Sequence, residues 1–281
     1  MSNDFLEQMA ESSRERVLAA LAERPEQEMM AAALATPEPP PLKLHADGFD
    51  LIAEVKLRSP AIGQLKGGDE DVTARVAGYA ASGAAAISVL TEPSRFDGSM
   101  AHLESSARAL VPHHVPAMRK DFLVDPYQVV EARAAGAGGV LVILRMLPRA
   151  TLEALIEQAL ALKLFALLEA FDERDIEIAH ALCQRYGGRA PDRERVGLLV
   201  GVNCRDLVTL QVVPGRLEAL VGVLPTQVPR VAESGVGSSE DAQRMAAAGY
   251  DLALVGSALM TAGDPHQLVG RMLSAGRSAR K

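Results

Sequence analysis

The stretch Val115 to Leu144, VPAMRKDFLVDPYQVVEARAAGAGGVLVIL, decides the fold. VPAMRKD is a short apolar run ending in charge, Asp125-Pro126 supplies an N-cap and a first-turn proline, Gly136 stops the helix, and GVLVIL is a second apolar run. Strand, helix and strand in about 30 residues form a βαβ unit, whose strands must run parallel with a right-handed crossover.

The same alternation repeats on both sides. DLIAEVK, AAAISVLT, VPAMRKD, GVLVIL, LFALLE, LLVGVN, VPRVAE and DLALVG follow one another from Asp50 onward, each trailed by a loop and an amphipathic stretch. Ser238 or Ser239 opens one of these helices and Gly249 stops it. Eight such units close a sheet on itself, so the expected fold is a (β/α)8 barrel over residues 45–281. In front of it, residues 5–35 show helical spacing, with Leu6, Met9, Val17, Leu18, Leu21, Met29 and Leu34 as the expected buried face. TPEPPPLKL, Thr36 to Leu44, cannot continue a helix and reads as a stiff connector. Residues 1–44 are thus an extra N-terminal helical segment with a Pro-rich connector, within a single domain. GGRAPDRER, Gly187 to Arg195, reads as a solvated insertion.

Composition agrees. Hydrophobic residues make up 48% of the 281, but aromatics only 4% with no Trp, so the core is built from Ala, Val, Leu and Ile, which suits parallel strands under helices. A net charge of −7 with dispersed acids leaves no basic footprint for nucleic acid. No run reaches the roughly 18 apolar residues that span a bilayer. MSNDFLEQMAESSRER is too polar for a signal peptide, so the expected location is the cytoplasm. Cys183 and Cys204 lack any paired spacing and read as reduced thiols, and six scattered His give no metal site.

In a barrel of this kind, chemistry gathers at the C-terminal strand ends. Here those ends are loaded: Glu54 and Lys56, then Ser59-Pro60; Arg119, Lys120 and Asp121; Glu169; Asn203 and Arg205; Glu233-Ser234-Gly235. Glu54 and Lys56 share a face because side chains alternate along a strand. Any one of these residues fits a structural ion pair, but five loaded strand ends are poorly explained by stability. ESGVGSSED and Gly256-Ser257 bring glycines and helix starts to the last two loops, where an anion seat is expected, although tight turns alone also use such residues. Pro60, Phe96, Phe122, Leu141 and Leu207 are core residues or an apolar wall for an aromatic ligand.

IAEVKLRSP, SVLTEPSRFDGS, VPAMRKDFLVDPYQVVEARAAGA, LLEAFDERDIEIA, VGVNCRDL, VAESGVGSSEDAQRMAAAG and LVGSALM together resemble the indole-3-glycerol phosphate synthase family, from about Asp50 to Met260. The resemblance implies ring closure of 1-(2-carboxyphenylamino)-1-deoxyribulose 5-phosphate to indole-3-glycerol phosphate, with loss of CO2 and water and without cofactor or metal. It implies Lys120 as general acid with Glu169 as acid-base partner, Lys56 in phosphate contact and dehydration with Glu54 beside it, and Asn203 orienting the substrate. Arg205, Glu233 and Ser234 complete the polar cluster. Gly235, Gly256 and Ser257 match the phosphate cradle, Ser59 and Pro60 meet the anthranilate, and Phe96, Phe122, Leu141 and Leu207 match its wall. A lysine crowded by other cations is expected to have a lowered pKa.

The first loop departs from the pattern, reading SPAIGQL where the family has SPSKG, and Arg95 is a candidate replacement for that missing charge. Two other readings are a divergent paralogue in a specialised indole pathway and a non-catalytic phosphosugar-binding barrel; the acid-base groups weigh against the second. Phosphoribosylanthranilate isomerase is set aside because its Cys and Asp pair is absent from the first and fifth strand ends. The expected partner is a phosphorylated small molecule, with no nucleic acid and no membrane, and the chain a monomer or weak homodimer.

Overall fold

β-Branched and aliphatic runs bounded by glycine and capped helices give eight strands: β1 (Asp50–Val55), β2 (Ala86–Leu90), β3 (Ala117–Lys120), β4 (Gly139–Ile143), β5 (Phe165–Ala170), β6 (Leu198–Asn203), β7 (Arg230–Glu233) and β8 (Leu252–Val255). In this computed structural model, which describes residues 4–46, 48–67, 70–187, 193–206 and 209–280, they pair in parallel in chain order and β8 closes on β1. The closing register sets Ile52 against Leu254, while Glu54 faces Ser88 on the other side. The expected (β/α)8 barrel with an N-terminal helical segment is the observed fold.

Alternation along the strands makes two cores. Ile52, Met118, Leu141, Leu167, Leu199 and Leu252 fill the interior of the cylinder. Their neighbours, among them Leu51, Ala53, Val140 and Leu168, pack outward against the helices. These helices include α3 (Val72–Ala81), α4 (Pro93–Phe96), α5 (Met100–Leu110), α6 (Pro126–Ala134), α7 (Arg149–Ala161), α8 (Glu173–Tyr186), α9 (Arg216–Leu220), α10 (Ser239–Ala248), α11 (Ser257–Thr261) and α12 (Pro265–Ser278). Asp125 with Gln128 and Ser238 with Asp241 form reciprocal capping boxes, so the helix starts read from sequence sit where side-chain oxygens answer the free N–H groups.

The N-terminal segment needs correction in detail. It consists of two helices, α1 (Asp4–Glu23) and α2 (Glu26–Ala35), with Pro25 between them. Leu6, Met9, Val17 and Met29 are buried and Leu21 partly so, but Leu18 and Leu34 are 68% and 69% exposed. The true stripe on α1 is Leu6, Met9, Ser13 and Val17, at helical spacing, with Ser13 fully buried because its hydroxyl accepts from Gln128 Nε2 at 2.9 Å. On α2, Ala33 takes the buried position next to Leu34.

The connector does more than link. Leu42 and Leu44 are buried in the interior core, with Val196, at the N-terminal end of the cylinder. Leu44 N–H donates to Arg193 O at 2.8 Å, and Val196 N–H to Leu42 O at 2.9 Å. The flank of the insertion is therefore paired with the connector, while residues 188–192 lie outside the described residues. Cys183 and Cys204 are buried and unbridged. Among the described residues, no helix is long and apolar enough to cross a membrane.

Candidate active site

The parity that points Ile52 into the barrel also points Glu54 and Lys56 into its C-terminal mouth. The same holds for Lys120 above Met118, Glu169 above Leu167, and Glu233 above Val231. Register then sets them side by side, since Asn203 pairs with Glu233 and Glu169 with Gly201 across adjacent strands. A cavity of about 400 Å³ opens among them, large enough for a small phosphorylated aromatic. Two Lys–Glu couples result. Lys56 Nζ lies 2.6 Å from Glu54 Oε1, and Lys120 Nζ lies 3.9 Å from Glu169 Oε1. Asn203 Nδ2 donates to Glu169 Oε1 at 2.8 Å, and its own Oδ1 accepts from Arg205 N–H at 2.9 Å, so the amide's orientation is fixed.

Burial and charge oppose each other here. Burial pushes the Glu54 carboxyl up, but Lys56, Lys120 and Arg205 outweigh it and its pKa falls below the ordinary value. Burial likewise disfavours the Lys120 ammonium, yet the carboxylates of Glu169, Glu54 and Glu233 more than offset this and its pKa is raised. The expected lowering is thus reversed, because the mouth holds more carboxylates than the strand ends viewed singly suggest. Glu233 carries the imbalance: burial and the neighbouring Glu169 charge push it well above the usual carboxylate range. Both its oxygens are buried, and among the described residues no hydrogen bond of ordinary geometry reaches them. Gly201 makes room for it, since a Cβ there would come 2.1 Å from Glu233 Oε1.

One rim of the cavity is backbone. Ser234 and Gly235 both have positive φ, at 65° and 70°, which turns the chain sharply after β7. Asp241 accepts from the N–H groups of Gly237 and Ser238, whereas those of Gly235, Gly256 and Ser257 make no backbone hydrogen bond among the described residues. Gly256 has no room for a side chain: a Cβ would lie 2.3 Å from Glu54 Oε1 and 2.9 Å from Lys56 Nζ. Much of the remaining lining is apolar, with Pro60, Phe96, Phe122 and Leu141, and the Phe96 ring is tilted at 41° to that of Phe122 with centroids 6.3 Å apart. Ser59 and Arg205 also line the cavity, and the Arg205 guanidinium is tied to Leu210 O, bracing its loop. Leu207 lies outside the described residues.

Several residues fall elsewhere than expected or were missed. Arg119 points out of the barrel, to Gln128 O and Glu131, because it alternates with Lys120. Arg95, the candidate replacement for the lost loop charge, is exposed on α4 and is not among the residues that line the cavity. Phe5 and Leu6 of α1 line the apolar wall, with the Phe5 ring edge-on to Phe122 at 5.9 Å. Nothing local in the sequence ties residue 5 to residue 122. Phe171 also lines the cavity, and a Phe two residues past Glu169 was the available signal. Among the described residues, no three His, Cys, Asp or Glu are grouped to hold a metal ion.

Comparison with known proteins gives the family. The family description indole-3-glycerol phosphate synthase matches residues 6–272. The chain belongs to the indole-3-glycerol phosphate synthase family. Its similarity to the synthase of Parafrankia sp. (strain EAN1pec) is 41% identity over 95% of this chain and 91% of that protein. To the synthase of Nocardioides sp. (strain ATCC BAA-499 / JS614) it is 44% over 86% and 88%. Among solved structures, 3-hexulose-6-phosphate synthase from Salmonella typhimurium superposes with a TM-score of 0.62 at 15% identity, over 82% of this chain and 99% of that one. Thiamine phosphate pyrophosphorylase from Pyrococcus furiosus gives 0.57 at 16%, over 83% and 98%. At such identities these two share the barrel only. Membership in the synthase family covers α1 as well as the barrel, in keeping with the part α1 takes in the cavity wall.

Proposed function

We propose that this chain closes the indole ring of 1-(2-carboxyphenylamino)-1-deoxyribulose 5-phosphate. The observation that carries the reading is two Lys–Glu couples facing one cavity that an apolar wall and the turn residues Gly235, Gly256 and Ser257 also line. The aromatic ring sits against Phe96, Phe122, Pro60 and Leu141, and Ser59 approaches its carboxylate. The phosphate rests on Gly235, Gly256 and Ser257 with Lys56 beside it.

The ring carbon bearing the carboxylate attacks the ketone carbon, a C–C bond forms, and the carbonyl oxygen takes a proton from Lys120. Positive charge at the mouth supports the developing oxyanion. CO2 then leaves, and its bonding electrons restore the aromatic ring. In the last step the new hydroxyl departs as water, using a proton from the Lys56–Glu54 couple, while the adjacent ring CH2 loses a proton, so that the double bond forms between these two carbons and completes the indole. Glu169, held by Asn203, accepts and returns protons for Lys120, and Glu233, Ser234 and Arg205 complete the polar lining. The reaction belongs in the cytoplasm, with the chain a monomer or weak homodimer, which gel filtration checks.

Incubating the protein with this substrate and following indole fluorescence tests the reading. Wild type is expected to give product and Lys120→Ala to lose on the order of 10²–10⁴-fold in rate. No signal from wild type sinks the function, and equal rates remove Lys120 from the chemistry.

A further inference from the structure

α1 lies outside the cylinder, yet one of its side chains grips the segment that carries the proposed acid. Arg16 Nη1 and Nη2 donate to Asp121 Oδ2 and Oδ1, each at 2.8 Å, and the Asp121 side chain is fully buried. Oδ1 also accepts from Phe122 N–H at 2.8 Å, while Oδ2 accepts from Thr91 Oγ1 at 2.7 Å and Arg119 Nη2 at 3.3 Å. With five donors on it the carboxylate stays charged: its pKa, raised by burial, is brought down to about 2 chiefly by Arg16 and Arg119. Asp121 is a knot joining α1, the end of β2, the end of β3 and the backbone of Phe122.

Lys120 has no such anchor. Its ammonium is 3.9 Å from Glu169, and its aim is set by the backbone on either side, where its carbonyl accepts from Thr91 N–H at 3.1 Å. Arg119 alone does not fix the rotation of the Asp121 carboxylate, because it touches one oxygen at 3.3 Å and shares its guanidinium with Glu131 at 2.6 Å. The planar fork of Arg16 does, by holding both oxygens at once.

We propose that Arg16 is a positioning residue: by clamping Asp121 it fixes the backbone from Lys120 to Phe122, so that the Lys120 ammonium stays aimed into the mouth and Phe122 stays against Phe5 and Phe96. The inference rests on the acid role of Lys120 proposed above. It assigns to the helix outside the barrel a share in the chemistry as well as in the wall.

The test uses the full chain with Arg16→Ala, Arg16→Lys and, as a control on the same helix, Arg14→Ala, whose guanidinium pairs with Glu11 on the exposed side. Two readouts are taken: kcat and KM for indole formation, and amide hydrogen exchange at Phe122. For Arg16→Ala the expectation is a kcat lowered about tenfold or more, with KM changed less than about threefold. Exchange at Phe122 should rise about tenfold. Arg16→Lys, which keeps the charge but loses the fork, should recover part of both, and Arg14→Ala should change neither. An unchanged kcat, or a loss confined to KM, overturns the proposal and leaves Arg16 a structural residue. If Arg16→Ala does not fold, Arg16→Lys decides: a several-fold lower kcat supports the clamp and a wild-type kcat overturns it. If wild type forms no indole, the function fails, while exchange at Phe122 still shows whether Arg16 holds the segment.

Discussion

Gly256 shows how much a single position can carry. Glycine is the only residue type there that leaves Glu54 Oε1 and Lys56 Nζ where they are, since a Cβ would stand 2.3 and 2.9 Å from those atoms. Gly256→Ala is expected to leave the circular dichroism of the barrel intact while lowering kcat/KM on the order of 100-fold, the Lys56–Glu54 couple and the anion seat being displaced together. Activity within a few-fold of wild type would show that the couple shifts harmlessly. Lys120 makes a second claim. A general acid works only while protonated, and its pKa is raised by the surrounding carboxylates against the effect of burial. The rate should therefore hold through neutral pH and fall only above the ordinary lysine range, as seen in a pH profile of kcat/KM. An alkaline fall that begins near neutrality would assign the acid elsewhere. The positions of these residues were legible because strand parity is a local property: Glu54 and Lys56 differ by two, so they share a face. The pKa direction was not, because it depends on Glu233 and Glu169, which only closure of the sheet brings to Lys120.

Elements were legible where local chemistry was strong and illegible where partners decide. The capping signals of α6 and α10 give their starts directly. α1 is different, because its face is selected by what it packs on. Ser13 is hidden by the Gln128 amide and Leu18 is left in solvent, which an apolar pattern cannot reveal. Two substitutions on this one helix separate its faces. Phe5→Ala removes a ring set edge-on to Phe122 at 5.9 Å, and the expected result is a KM raised several-fold with kcat nearly unchanged, since a wall residue binds substrate and transition state alike. Leu18→Glu should move unfolding stability by no more than about 0.5 kcal/mol, measured by denaturant titration. A large loss from Leu18→Glu would mean that the exposed side of α1 is covered by something in solution. A KM unaffected by Phe5→Ala would exclude the helix from the site.

At the scale of the whole molecule the barrel separates two ends. The connector residues Leu42 and Leu44 plug the N-terminal end with apolar side chains, while the C-terminal mouth gathers Glu54, Glu169, Glu233, Lys56 and Lys120. The eightfold repeat made the closed sheet readable, but the plug was not, because its partner strand begins about 150 residues later in the chain. The mouth is where function and stability conflict. Glu233 is buried beside Glu169, with no hydrogen bond of ordinary geometry to either oxygen among the described residues, and burial together with that neighbouring charge raises its pKa well above the ordinary carboxylate value. As pH rises from the ordinary carboxylate range towards this raised value, the unfolded chain releases the proton while the folded chain retains it. Folding stability therefore falls across that window, and the deficit persists above it. Glu233→Gln is neutral at every pH and nearly the same shape. It is expected to raise Tm at neutral pH, by about 2–4 °C for each kcal/mol recovered in a chain of this size. The gain should shrink as pH approaches the ordinary carboxylate range, and indole formation should fall sharply at the same time. A Tm that is unchanged or lower at neutral pH, or a gain that ignores pH, would show that Lys120 already compensates the Glu233 charge and that the mouth carries no strain of this kind.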